Sequence, residues 1–277
     1  MTPDEYCQEK TARSGSSFYY SFLFLPQNQR RAITALYAFC REVDDVVDEC
    51  QDPQIAATKL AWWRQELSGL YAGKPQHPVT QALQAASGEF HLPEEQLQEI
   101  IDGMAMDLQQ TRYLDFKALS LYCYRVASVV GLLAAEIFGY QDRKTQKYAH
   151  DLGLAFQLTN IIRDVGEDAR MGRIYLPIDE LQRFGVPAAD ILNARHSDNF
   201  RRLMEFQIER AEGYYAQAID ELPAIDRRAQ RPGLMMAAIY RTLLDEIRRD
   251  GCQVLTQRTS LTPIRKLWIA WRTWVSG

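Results

Sequence analysis

Apolar residues recur along this chain at intervals of three and four, and no alternating pattern lasts more than a few positions. That period predicts helices at roughly residues 28–50, 54–72, 78–88, 93–110, 116–139, 142–166, 188–220, 232–250 and 261–275. Helix-stopping chemistry separates them: Asp52-Pro53, Gly73-Lys74-Pro75, Leu92-Pro93, Gly139-Tyr140 and Arg231-Pro232-Gly233. The longest stretch without helical period runs from Gly166 to Pro187 and contains Gly172, Pro177 and Gly185. No linker, repeat or low-complexity segment interrupts the pattern. The expectation is an all-α fold in one domain over residues 1–277, with an amphipathic helix at 261–277.

Two of these helices carry carboxylates in register. In Tyr37-Ala-Phe-Cys-Arg41-Glu-Val-Asp44-Asp45-Val-Val-Asp48-Glu49, Asp44 and Asp48 lie about 40° apart and one turn along the helix. Tyr37 and Arg41 share their face, while Val43, Val46 and Val47 point elsewhere. Carboxylates one turn apart repel each other. A shared Mg²⁺ removes that repulsion, and oxygen ligands at this spacing suit a hard cation that also touches phosphate.

The second stripe is Gln157-Leu-Thr-Asn160-Ile-Ile-Arg163-Asp164-Val-Gly-Glu167-Asp168, with Asn160, Asp164 and Asp168 at i, i+4 and i+8. Leu158, Ile161, Ile162 and Val165 imply burial around it, where carboxylates need pairing or a metal. One acidic pair alone is usually a solvated surface. Two stripes, each beside an arginine and each in an apolar helix, make a polymetal diphosphate clamp if they face one cavity. Arginine supplies the bidentate phosphate contacts.

Composition narrows the partners. A net charge of -4 and a pI of about 5.7 leave no basic excess for nucleic acid. The five cysteines (Cys7, Cys40, Cys50, Cys123, Cys252) form no C-x-x-C or Cys/His cluster, so neither a disulfide framework nor a zinc site is expected. Met1 to Arg13 is polar, without an apolar signal core. No stretch approaches the roughly 18 uncharged apolar residues of a membrane span. The expected location is the cytoplasm, with the inner membrane face as the alternative. The segment Pro263-Ile-Arg-Lys-Leu-Trp-Ile-Ala-Trp-Arg-Thr-Trp-Val275 bears on that alternative. Trp268, Trp271 and Val275 share a face, with Arg265, Lys266 and Arg272 nearby. Two readings stand: this helix rests on an anionic bilayer, or it is buried against the domain.

The two motifs, in this order, resemble the squalene/phytoene synthase family. Further matches are Ser17-Phe18, Met106-Asp107-Leu108, Tyr122-Cys-Tyr-Arg-Val126-Ala-Ser-Val-Val-Gly131, Arg173-Ile-Tyr-Leu-Pro177 and Tyr240 before Asp245-Glu246. The resemblance covers roughly residues 10–255 and implies an isoprenoid synthase helical bundle with a central cavity. Within the family, Ser14-Gly-Ser-Ser17-Phe-Tyr-Tyr-Ser-Phe-Leu-Phe-Leu-Pro26 and Ala35 to Glu49 look closest to presqualene diphosphate synthases of the bacterial squalene and hopanoid route. Many relatives carry a histidine where this chain has Ser14, so a role for that histidine does not transfer.

The resemblance implies head-to-head condensation of two farnesyl diphosphates. Two to three Mg²⁺ ions would be held by Asp44, Asp48, Asn160, Asp164 and Asp168. Arg41, Gln157 and Arg163 would contact diphosphate, with Tyr37 on the same face and Ser17 and Tyr240 as family-derived additions. Tyr122 is expected near the reacting carbons, steering proton loss; a merely packed tyrosine is the competing reading. NADPH is not expected for this step, and no glycine-rich dinucleotide loop occurs. Downstream squalene-pathway enzymes are the expected partners. Ala127, Gly131 and Ala134 share a face that suits either a prenyl tunnel or close helix packing. The stretch from Gly166 to Pro177 is expected to act as a lid. The same scaffold also serves squalene, dehydrosqualene, hydroxysqualene and phytoene synthases, and scaffold relatives exist that have lost the aspartates.

Overall fold

The computed structural model describes residues 1–13, 21–50 and 52–276, so Ser14 and Ser17 lie outside the described residues. Most helix starts are chemically marked. Helix α1 (Pro3–Arg13), not expected from the sequence, precedes α2 (Gln27–Glu49). Helix α3 (Pro53–Tyr71) begins where the Asp52 side chain accepts from the Gln54 and Ile55 amides, with Pro53 in the first turn. Then follow α4 (Pro78–Ser87) and α5 (Glu94–Gln109). The expected 116–139 helix is continuous but not uniform. It comprises α6 (Phe116–Cys123), a π-helical turn at Tyr124–Ser128 and α7 (Val129–Phe138).

Helix α8 (Lys144–Arg170) outruns the expected end at residue 166. Gly166 is not a breaker. A Cβ there would meet the Leu255 carbonyl oxygen at 2.4 Å, so the glycine admits a neighbouring backbone inside an unbroken helix. The supposed lid is correspondingly short. Ile174, Tyr175 and Leu176 are buried, and the Ile174 amide donates to the Thr111 carbonyl at 3.1 Å. Among the described residues, the Arg112–Ile174 bridge is the one β-type pairing. These ties anchor the segment and correct the expectation of a lid from Gly166 to Pro177.

Helix α9 (Ile178–Phe184) fills part of the stretch expected to be irregular and is closed by Gly185 in the left-handed region. The expected helix 188–220 is two: α10 (Ala188–Leu192) and α11 (Asp198–Glu221). The Ser197 hydroxyl caps the Phe200 amide and starts the second of them. Helices α12 (Arg231–Arg249) and α13 (Pro263–Ser276) complete the described chain.

Two buried clusters organise the bundle into one domain. One joins α1 to α5 with α7, and the other joins α6 to α8 with α9 to α13. Between them α7 and α8 approach closely: a Cβ on Gly131 would sit 2.4 Å from the Ala149 carbonyl oxygen, and one on Gly153 2.6 Å from that of Ala127. The helix Phe116–Phe138 is long and apolar enough to cross a membrane by length and composition. In the fold it is a core helix, and its Arg125 pairs with Glu99 of α5 at 2.9 Å.

Candidate active site

Helices α2 and α8 line one cavity of about 720 Å³, and each changes character along its length. On α2 the lining runs from Ile33, Leu36, Tyr37 and Cys40 to Arg41, Asp44 and Asp48. On α8 it runs from Tyr148, Leu152 and Phe156 to Gln157, Asn160, Asp164 and Asp168. Both helices are therefore apolar early and acidic late. The acidic residues sit in the last turns, where the helix dipole already concentrates negative charge. Neither end is a comfortable place for carboxylates without cations.

Every described residue singled out from sequence lines this cavity: Tyr37, Arg41, Asp44, Asp48, Tyr122, Gln157, Asn160, Arg163, Asp164, Asp168 and Tyr240. Arginines neutralise part of the charge. Arg41 Nη1 meets Asp44 Oδ2 at 2.5 Å and also pairs with Asp45. Asp45, the second aspartate of the literal D-D-x-x-D, turns to Lys10 at 2.8 Å and does not line the cavity. Arg163 clasps Asp164 through two nitrogens, and Arg258 reaches the same carboxylate at 2.9 Å. Arg173 donates to Asp48 Oδ1 at 2.9 Å.

Protonation reports how crowded the acids are. Burial first, then the charge of Asp48, pushes Asp44 up to about 7. Burial and then Asp164 push Asp168 up to about 8, with Asp48 contributing from across the cavity. The two stripes thus feel each other. The Arg163 guanidinium is held charged against its burial by Asp164 and Tyr240. Lys266 of α13 is lowered by burial and by Arg163 and Arg258.

Among the described residues, no three His, Cys, Asp or Glu side chains converge to cage an ion alone. Magnesium does not need such a cage, because it binds through one or two carboxylates together with substrate phosphate oxygens. The donor set fits that mode. Asn160 Oδ1 is buried with no hydrogen-bond partner, while its amide nitrogen donates to Gln157 at 3.3 Å. An oriented oxygen one helical turn from the Asp164 carboxylate, otherwise unsatisfied, is what a hard cation completes.

One consequence concerns stability. In the metal-free chain, Asp44 and Asp168 hold protons near neutral pH that unfolded carboxyls, at about 3.8, have lost. The folded state binds more protons, so stability falls as pH rises. Without divalent ions, the contribution of these two groups to Tm should fall as pH rises from about 4 and level off above about 8, and Mg²⁺ should raise Tm more at about pH 8 than at about pH 5. A scanning-calorimetry series with no pH slope, or with equal Mg²⁺ shifts, would contradict this.

Five groups not assigned a role from sequence complete the site: Asp107, Tyr175, Arg173, Arg258 and Lys266. Asp107 of α5 is buried and accepts from Tyr122 Oη at 2.9 Å and Tyr175 Oη at 2.8 Å. The two tyrosine rings stack with centroids 5.1 Å apart. Burial, opposed by Arg173, pushes Asp107 up to about 6. Arg173, Arg258 and Lys266 bring further positive charge to the cavity. In the sequence Asp107, Arg173 and Tyr175 stood only inside segments that match the family, with no role attached, since each meets its partners only through the fold.

Comparison with known proteins agrees with this geometry. The family model for squalene/phytoene synthases matches residues 11–265. A phytoene synthase from Arthrospira platensis is 38% identical over 276 residues, covering 95% of this chain and 89% of that protein. A solved dehydrosqualene synthase in complex with ligand superposes with TM-score 0.89 at 29% identity, over 99% of this chain and 96% of that one. A squalene synthase from Alicyclobacillus acidocaldarius gives 0.80 at 30% identity, over 90% and 94%. With the match spanning most of its length, the chain belongs to the squalene/phytoene synthase family, the head-to-head prenyl synthases that use divalent metal with diphosphate substrates.

Proposed function

We propose that the chain condenses two farnesyl diphosphates head to head and releases presqualene diphosphate and inorganic diphosphate. The observation that carries this reading is one cavity with two acidic, arginine-flanked helix ends and apolar walls running away from both. Diphosphates belong at the charged end and prenyl chains along the apolar walls. The presqualene product rests on the resemblance of the Ala35 to Glu49 motif to that subgroup.

Asp44, Asp48, Asn160, Asp164 and Asp168 would hold two to three Mg²⁺ ions. When bound, these supply Lewis-acid stabilisation of the leaving diphosphate. The protein's own work surrounds that. Arg41, Arg163 and Gln157 hold diphosphate oxygens, with Tyr37 and Tyr240 beside them and Ser17 as an addition that rests on the family resemblance alone. The arginines move from carboxylate to phosphate as substrate enters. The donor's C–O bond breaks and its allylic carbon bonds to the acceptor's double bond. Loss of a proton then closes the cyclopropane. No hydride enters this balance, so NADPH has no part in it.

Tyr122 and Tyr175 face the reacting carbons. Both give their hydroxyl protons to Asp107, so their oxygens turn lone pairs toward the cavity and the developing positive charge. Tyr122 is the group assigned to steer the proton away.

A second reading, phytoene formation from two C20 diphosphates, is favoured by the Arthrospira platensis relative. Product identification decides. With Mg²⁺ and farnesyl diphosphate, presqualene diphosphate should accumulate whether or not NADPH is present. A C40 hydrocarbon from the C20 substrate, with farnesyl diphosphate left unreacted, or squalene formed only with NADPH, would overturn the assignment.

A further inference from the structure

Helix α13 has two faces with different partners. Its inner face is engaged: Ala270 is fully buried, Trp274 stacks on Phe24 at 5.2 Å, and Arg231 lies over the Trp274 ring. Pro263 and Lys266 reach the cavity. Its outer face carries Ile264, Leu267, Trp268, Trp271 and Val275, which are 82%, 44%, 58%, 47% and 64% exposed. At about 100° per residue these five fall within an arc of about 100°. Arg265 and Arg272, both exposed, follow one edge of that arc. A continuous apolar stripe holding two tryptophans, whose rings lie 5.1 Å apart, is unusual on a surface that meets only water.

We propose that this face docks onto an anionic lipid bilayer, with α13 lying in the plane of the interface. Charge selects this occupant. Helix α13 itself carries Arg265, Lys266 and Arg272 and no acidic residue, in a chain whose net charge is -4; Arg265 also pairs with Glu246 at 2.7 Å, and Arg272 borders the stripe. Basic charge is thus concentrated in the segment that bears the stripe, where anionic headgroups would meet it. Tryptophan suits the boundary because its ring is apolar and its N–H is polar. Position adds a second argument. The helix that meets the bilayer also lines the cavity through Pro263 and Lys266, so a prenyl product is released next to lipid. That use of the surface rests on the proposed function; the docking itself does not.

The test is flotation of the full chain with phosphatidylcholine vesicles, with and without phosphatidylglycerol. The chain should rise with phosphatidylglycerol vesicles and be released by salt. Trp268→Ser/Trp271→Ser should weaken partitioning at least about tenfold, as expected from losing two buried rings. Sedimentation and turnover in detergent run in parallel, so a failure of docking is separable from a failure of the catalytic reading. No flotation, unchanged flotation of the double variant, or a dimer that this variant dissolves would overturn the proposal. The last would assign the face to a second copy instead.

Discussion

Asp164→Ala is expected to lower kcat/KM by at least about 10³, with helicity unchanged. Asp164 is the meeting point of the second acidic stripe. It accepts from Arg163 through both oxygens and from Arg258 at 2.9 Å, and among the neighbouring charges it raises Asp168 the most. Its loss removes a proposed metal ligand from the leaving group, where electrostatic stabilisation is commonly worth two or three orders of magnitude or more. The fold should survive, because the same change relieves repulsion at a helix C-terminus. Arg163 keeps its contact with Tyr240, and Arg258 keeps Glu167 at 3.4 Å. Far-ultraviolet circular dichroism beside steady-state turnover separates the two effects. Activity within tenfold of the parent would sink the clamp.

That site was legible because each stripe is local. Asp44 and Asp48, or Asn160, Asp164 and Asp168, need only the geometry of one helix to come together, and the apolar residues between them show which way it faces. Helix class was legible for the same reason. What escaped depends on distant pairing or on packing. Asp107 meets Tyr122 and Tyr175 across 15 and 68 positions, and Arg173 meets Asp48 across 125. Gly166 has a breaker's identity but a packing role, which only the neighbouring Val254–Leu255 backbone reveals. The division after Leu192 was available in principle. Ser197 is a good cap residue, but the apolar period runs on across it. On α13 the choice between burial and membrane was unresolved because one face of the helix is buried and the opposite face is apolar and exposed.

Asp107→Asn probes a residue that the sequence offered only within the Met106-Asp107-Leu108 match, with no role attached. As a carboxylate, Asp107 accepts both tyrosine protons, one on each oxygen, at 2.9 and 2.8 Å. An amide has one acceptor oxygen and one donor nitrogen. One tyrosine must therefore turn, take a hydrogen bond from the amide, and aim its own O–H at the cavity. A positive dipole end then replaces a lone pair beside a carbocation. The expected result is a fall in kcat of about 10², of the size seen when one preorganised electrostatic contact is lost. KM should stay within a few-fold, since the proposed diphosphate contacts lie on α2, α8 and α12 and not on α5. Early quenching of the cation should also divert part of the product to alcohols. Tyr175→Phe leaves the Tyr122–Asp107 bond in place and should be milder than Tyr122→Phe. A residue that only filled space would change Tm and leave the product distribution alone. If Asp107→Asn turns over at the parent rate with one product, the orientation of these hydroxyls is not what guides the cation.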